Sequence, residues 1–240
     1  VQQNFNTAPS ASSPTTIVAG VTINDQYRKE KSSAFEVGLR GTMGPVSYDL
    51  AGFYTKVTDM QFFEFFVGSF GLLRVVDNID KVDLKGLELN LNTRLTKGWS
   101  VFASYNVTDS DIKANSSRPY TIGNKSPYTA DYTLNVGTQM DMPVSNGIMG
   151  VLRADYRLTG PTYFHTVQQT SGPNDRPTLF SGLLPISALA LPAAVGNARY
   201  NVSRRDKFGV VDLRVGVESK VWKVTVFANN LLDKKYLNEV

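Results

Sequence analysis

Cysteine is absent from the 240 residues, which excludes a disulfide framework and any thiolate-ligated metal site. Histidine occurs once, at His165, so a multi-histidine metal site cannot be built and a histidine-dependent hydrolase has one candidate base. No run of about 18 apolar residues appears, which excludes a membrane-spanning helix of ordinary length. The longest apolar-rich stretch, Leu183 to Val195, is too short and is interrupted by Pro185 and Pro192. The opening residues Val1 to Asn6 lack both a basic and an apolar leader region, so a secreted reading requires a processed or truncated chain. Charge of one sign is not gathered anywhere: 25 basic and 21 acidic residues are interspersed, for a net charge of +4. Nucleic-acid binding calls for a clustered basic stripe, and no nucleic-acid partner is expected.

What is present is a two-residue period, and it recurs in pairs. Phe35, Val37 and Leu39 alternate with Glu36, Gly38 and Arg40; Thr42 to Pro45 then turns the chain back into Tyr48, Leu50, Gly52 and Tyr54. Ala51 and Phe53 blur the second face of that return strand. Leu87, Leu89, Leu91, Thr93 and Leu95 alternate with Glu88, Asn90, Asn92 and Arg94, a pattern that a helix cannot keep on one face. After Thr96 to Gly98 come Trp99, Val101, Ala103, Tyr105 and Val107 opposite Ser100, Phe102, Ser104, Asn106 and Thr108. A third pair runs from Tyr132 to Met140 and from Ile148 to Leu158 around Asp141 to Gly147, and sets Arg153, Asp155 and Arg157 on one face. Three ionisable side chains there require water. A fourth pair sets Val211, Leu213, Val215 and Val217 against Asp212, Arg214, Gly216 and Glu218, turns at Ser219 to Val221 and returns through Trp222, Val224, Val226 and Ala228.

The connections alternate too. Four are short, near residues 42–45, 96–98, 141–147 and 219–221; those between pairs are long, at roughly 59–82, 109–127 and 160–205. Loops beyond about 15 residues are uncommon in compact soluble domains. Alternating faces with short turns on one side and long loops on the other are the pattern of an outer-membrane barrel, whose short turns are periplasmic. The predicted fold is all-β: an antiparallel transmembrane β-barrel segment of about eight strands in four hairpins, with short periplasmic turns and long extracellular loops. Tyr48, Tyr54, Trp99, Tyr105, Tyr128, Tyr156 and Trp222 near strand ends suit the membrane interface. The competing fold is a soluble or surface β-sandwich binding module, in which those rings are core. The phase of the connections begins and ends the chain on the long-loop side, which predicts a slice of a larger barrel with open edges.

Two stretches carry a family resemblance. Tyr27 to Arg40, with Glu30-Lys31-Ser32 followed by Phe35-Glu36-Val37-Gly38, resembles a strand entry in the later barrel of TonB-dependent outer-membrane receptors, with Arg28-Lys29 where a proline is common. Trp222 to Phe227 followed by Asn229-Asn230-Leu231-Leu232-Asp233-Lys234-Lys235-Tyr236 is similar to that family's penultimate strand motif. Ala51 to Tyr54 with Asp59 to Gln61, and Lys85 to Leu89, match two further strands in the expected order. The resemblance implies roughly strands 14 to 21 of a barrel of about 22, one domain over the whole chain with the plug and final strand absent. It also implies, for the intact parent, import of a scarce nutrient such as an iron-siderophore complex, cobalamin or carbohydrate. Its partners would be the TonB complex acting through the missing plug, the nutrient ligand, and outer-membrane lipid with lipopolysaccharide; no cofactor and no enzymatic activity are implied.

Candidate ligand-binding residues fall in the longest loop. Tyr163, Phe164 and His165 at its base are either part of a substrate vestibule or a loop-anchoring cluster at the aromatic girdle. Arg176, Arg204 and Arg205, with Arg199, give the loop positive charge, which would draw an anionic ligand or adhere to lipopolysaccharide. Phe62, Phe63, Phe65, Phe66 and Phe70 are read as loop residues, gripping a flat substrate or packing on one another. Glu36, Glu88, Asp155 and Glu218 with Arg40, Arg94, Arg153, Arg157 and Arg214 are read as a solvated ladder on the lumen wall. Asp59, Asp109 and Asp111 lack the spacing of a calcium loop, and Gly123-Asn124-Lys125-Ser126 lacks the frame of a phosphate-binding loop.

Overall fold

Period-two alternation becomes extended chain wherever each face meets a constant solvent. The strands are β1 (Lys31–Met43), β2 (Val46–Gly68), β3 (Gly71–Thr96), β4 (Trp99–Ala114), β5 (Tyr132–Ser145), β6 (Ile148–Thr159), β7 (Thr162–Tyr163), β8 (Arg204–Arg205), β9 (Phe208–Ser219) and β10 (Lys223–Ala228). The computed structural model describes residues 27–68, 71–166, 168 and 204–238, with the backbone alone at 64–68, 71–75 and 120. Eight strands form one antiparallel sheet in the order β1-β2-β3-β4-β5-β6-β9-β10, and β7 and β8 form a small separate ladder. The expected four hairpins are therefore present, and their tight turns all fall at one end of the sheet. The other end carries residues 115–131 and the base of the segment that follows β6.

Register shows why the alternation was legible. Leu39, Leu50, Leu89, Tyr105, Leu134 and Leu158 stand side by side across six strands. The adjacent row, on the opposite face, is Arg40, Asp49, Asn90, Ser104, Asn135 and Arg157. A one-residue slip in any pair would put an arginine or asparagine among the leucines, so the two-solvent pattern fixes the register. The apolar face has no protein covering it: Phe35, Val37 and Val226 are 72%, 82% and 73% exposed. A sandwich would place a second sheet about 10 Å away, whereas the only other ladder among the described residues is β7-β8. The sheet is open, with β1 and β10 at its edges.

The polar face carries its own ion pairs. Arg153 donates to Asp155 at 2.8 and 2.9 Å, and Arg157 to Asp212 at 3.0 Å. Asn106 donates to Glu88 at 3.0 Å. Phe53, whose direction the sequence left open, and Phe102 both lie on this face, each opposite a glycine, Gly86 and Gly137. The space above Gly137 is filled by the Phe102 ring, over which the Arg153 guanidinium lies at 4.6 Å.

Two connections differ from expectation. Residues 59–82 are not a loop: β2 and β3 stay paired from Met60 opposite Ile79 out to Gly68 opposite Gly71. Phe62-Phe63-Glu64-Phe65-Phe66 shows no two-residue period, yet aromatic residues still favour a pleated surface. Likewise β4 continues to Ala114, and a short 3-10 turn occupies Pro119–Thr121. The buried apolar cluster sits on this end of the sheet, with Val57, Phe62, Ile79, Val82 and Ile112 packed together.

Candidate functional site

The site is built where β6 leaves the sheet. Gly160 donates its amide to the Tyr132 carbonyl at 2.8 Å, and Asp131 donates to the Pro161 carbonyl at 3.1 Å, which fold the outgoing chain against the start of β5. Thr162 and Tyr163 then pair with Arg205 and Arg204, so the returning chain closes the base of the 160–205 segment. Tyr128, in the left-handed region at φ 58°, donates its amide to the Tyr163 carbonyl at 2.7 Å.

Aromatic rings fill the space so enclosed. Phe62 stacks on Phe63 with centroids 4.8 Å apart, Tyr128 lies about 6 Å from both, and Phe164 meets Tyr128 edge-on at 5.5 Å. His165 meets Phe62 edge-on at 5.9 Å. Phe164 and His165 are 2% and 5% exposed. Burial pushes the His165 imidazole down to about 3, with the Arg118 charge adding to the effect, so the ring is neutral at physiological pH. From outside, Gln168 holds the turn by donating to the carbonyls of Lys125 and His165 at 2.7 and 2.9 Å, and Asn124 donates to the Thr166 carbonyl at 2.8 Å.

The returning arginines close the other side. Arg205 donates to the Thr162 hydroxyl at 3.1 Å and to the Leu237 carbonyl at 3.2 Å, and its guanidinium lies over Phe208 and Phe164 at 4.6 and 5.5 Å. Phe208 stacks on Tyr236 at 3.9 Å. That ring is delivered by a tight corner after β10, where Asn230 and Asp233 have φ of 52° and 48° and the Asn230 side chain accepts from Lys234 at 2.9 Å. Arg204 lies over Tyr163 at 5.6 Å and pairs with the exposed Asp206 at 3.1 Å.

Of the sequence-derived candidates, Tyr163, Phe164, His165, Arg204 and Arg205 come together at one rim position, and Arg176 lies outside the described residues. Phe164 and His165 are buried, while Tyr163, Arg204 and Arg205 keep partial exposure. Sequence reasoning missed Arg118, which is 1% exposed and whose charge acts on His165, and a polar knot at the hairpin root. There Arg28 donates to Asp59 at 2.6 Å and Asp80 at 2.5 Å, and buried Asn78 donates to the carbonyls of Asp59 and Arg28 at 2.7 and 3.1 Å. Burial works to raise the Asp80 carboxyl, but hydrogen bonds from Ser116 and Arg28 outweigh it and hold the group below its ordinary range. The aspartates 59, 77 and 80 around the hairpin were the available signal. Among the described residues no group of histidine and carboxylate side chains has the arrangement to hold a metal ion.

A two-solvent sheet with anchored loops at one end has a counterpart among known proteins. The family model described as "TonB dependent receptor-like, beta-barrel" matches residues 1–231. The chain belongs to that TonB-dependent receptor family. Its members are outer-membrane transport receptors of Gram-negative bacteria and not enzymes. The pesticin receptor of Yersinia enterocolitica is 32% identical over 136 residues, covering 56% of this chain and 19% of that protein. The ferric yersiniabactin uptake receptor of Yersinia pestis superposes with a TM-score of 0.60 at 23% identity, over 86% of this chain and 26% of that one. The ferric preacinetobactin receptor of Acinetobacter baumannii gives 0.56 at 13% identity, over 93% and 28%. These solved structures agree in fold. The chain spans about a fifth of the curated relative's length and about a quarter of the solved receptors'.

Proposed function

We propose that this chain supplies part of the wall and outer rim of a TonB-energised importer for a scarce nutrient, with iron-siderophore complexes as the substrate class. The ferric yersiniabactin uptake receptor, a neighbour in fold, suggests that class. The observation that carries the reading is the rim cluster: a long connection held at both feet by β7-β8 and by the aromatic group around Tyr128. Long loops on rigid scaffolds commonly hold binding residues. Tyr163 and Arg204, at the partly exposed margin of the cluster, would meet an arriving ligand, and Arg204 with Arg176 would supply charge for an anionic chelate. Buried Phe164 and His165, with Arg205 clamped across Thr162 and Leu237, act as anchors.

The test is deletion of residues 171–196 in the whole receptor, with ferric yersiniabactin as probe. Uptake and binding fall while the barrel stays folded and inserted, and the loss is larger at low ionic strength, where charge attraction is least screened. Wild-type binding and uptake at both ionic strengths would remove the loop from ligand capture.

A further inference from the structure

The polar face of β6 and β9 is laid out in rows of like charge. Asp155 stands directly opposite Asp212, and in the next row toward the short turns Arg153 stands opposite Arg214. Like charges set directly opposite one another repel, so each calls for a counterion. Three of these four have one: Arg153 donates to Asp155 at 2.8 Å, and Arg157 donates to Asp212 at 3.0 Å. The neighbouring polar groups are engaged as well, with Lys223 on Glu218 at 2.8 Å and the Gln139 amide on Asp141 at 3.1 Å. Arg214 is left as the one guanidinium on this face of the two strands with no carboxylate partner among the described residues.

An aromatic ring stands beside it, because Phe227 of β10 is directly opposite Arg214. Phe53 and Phe102, on the same polar face, have glycines opposite them whose missing side chains leave room for their rings. Phe227 has no such recess and is 64% exposed. Arg214 and Phe227 together border a cavity of about 390 Å³, with Gln139, Arg153, Gly216 and Thr225 around the rest of its wall. A guanidinium presents a planar fork of donors to an anion, and a phenyl ring presents a flat face for stacking. A free charge and an exposed ring at adjoining positions are complementary to a flat aromatic anion. An inorganic anion would leave the ring in water, and a neutral ring would leave the arginine without a partner.

We propose that Arg214 and Phe227 form a seat on the lumen face for a flat aromatic anion, the guanidinium taking the charged group and the Phe227 ring stacking on the ligand's ring. The seat lies about 20 Å along β9 from Phe208 at the rim, so it is separate from the cluster around Tyr163. Its cargo is the imported chelate of the proposed function, on which it rests for its biological ligand. To that reading it adds a preference for chelates that carry an aromatic acid group.

The experiment places 4-fluorophenylalanine at position 227 of the whole receptor in lipid nanodiscs and follows its fluorine resonance while benzoate, acetate or benzyl alcohol is added. Benzoate shifts the resonance saturably, and acetate and benzyl alcohol each bind about tenfold more weakly. Arg214→Gln abolishes the benzoate shift, and Arg214→Lys, which keeps the charge without the fork, weakens it. Arg214 and Phe227 are both exposed, so these variants leave the sheet folded. In cells, Arg214→Gln and Phe227→Leu lower the initial rate of ferric yersiniabactin uptake about fivefold, while its binding at the rim stays at the wild-type level. The absence of a saturable benzoate shift, an equal response to the three probes, or wild-type uptake in both variants overturns the proposal. A wild type that imports no ferric yersiniabactin would count against the proposed cargo alone, because the benzoate titration decides the seat independently.

Discussion

His165 meets the ring of Phe62 edge-on, with centroids 5.9 Å apart, although the two residues stand at the roots of different extracellular connections. The contact joins the β2-β3 hairpin to the exit of β6, and it does so through a titratable ring that is 5% exposed. Burial and the Arg118 charge lower its pKa from the ordinary 6.5 to about 3. Folding therefore favours the neutral imidazole, and its contribution is complete above about 6.5 and shrinks as pH falls toward 3. Acidification through that window is expected to loosen the base of the 160–205 segment, at no more than about 1.4 kcal/mol per pH unit. Protection factors at residues 162–166, which remove the intrinsic pH dependence of amide exchange, fall from pH 7 to pH 4 in the wild type and stay constant in His165→Phe. Equal pH dependence in both proteins would mean that another group governs the opening.

Arg205 and Arg204 are neighbours in sequence with different duties. Arg205 has two hydrogen bonds and two ring faces, and Arg204 has one ring and an ion pair to a largely exposed carboxylate. Arg205→Lys keeps the charge but loses the planar fork. It is expected to raise exchange at 162–164 and 236–237 together, with a local cost of about 1–3 kcal/mol. Arg204→Ala leaves those amides protected. If both variants behave alike, the clamp assigned to Arg205 is not there.

Much of this architecture is legible in the residues themselves. Leu87 to Leu95 announces its strand because each face meets a single solvent over the whole span, and the short turns follow from where that alternation breaks. The outer half of the β2-β3 hairpin is silent because Phe62 and Phe63 serve an aromatic cluster and not a lipid face. Tyr163 to His165 stand out as an aromatic run with the only histidine, so the rim site could be found. Arg118 and Asn78 could not, since their burial depends on partners far along the chain; Asn78 bonds Arg28 across 50 residues. Nothing local in a sequence marks a polar side chain for such a contact.

Gly86 supports the wall from within. A Cβ there would lie 2.1 Å from the Val107 carbonyl and 2.6 Å from the Phe53 ring, so the β3-β4 ladder itself would have to shift. Gly86→Ala is expected to destabilise the whole receptor by about 1–3 kcal/mol, whereas Gly52→Ala, one row away on the other face, stays near wild type. Reversible unfolding in lipid distinguishes them; equal stabilities would argue against the close approach.

The central claim is that one sheet separates lipid from a polar lumen, with a period of two residues. This chain contributes no cysteine, so in the whole receptor, with any cysteine elsewhere replaced, single cysteines at positions 87 to 92 in bilayers can carry spin labels one at a time. Collision rates with oxygen and with a water-soluble nickel chelate then report the solvent at each position. Labels at Leu87, Leu89 and Leu91 are expected to favour oxygen, and those at Glu88, Asn90 and Asn92 to show low oxygen accessibility in a polar setting. Uniform collision rates along the six positions, or a period near 3.6, would contradict the account.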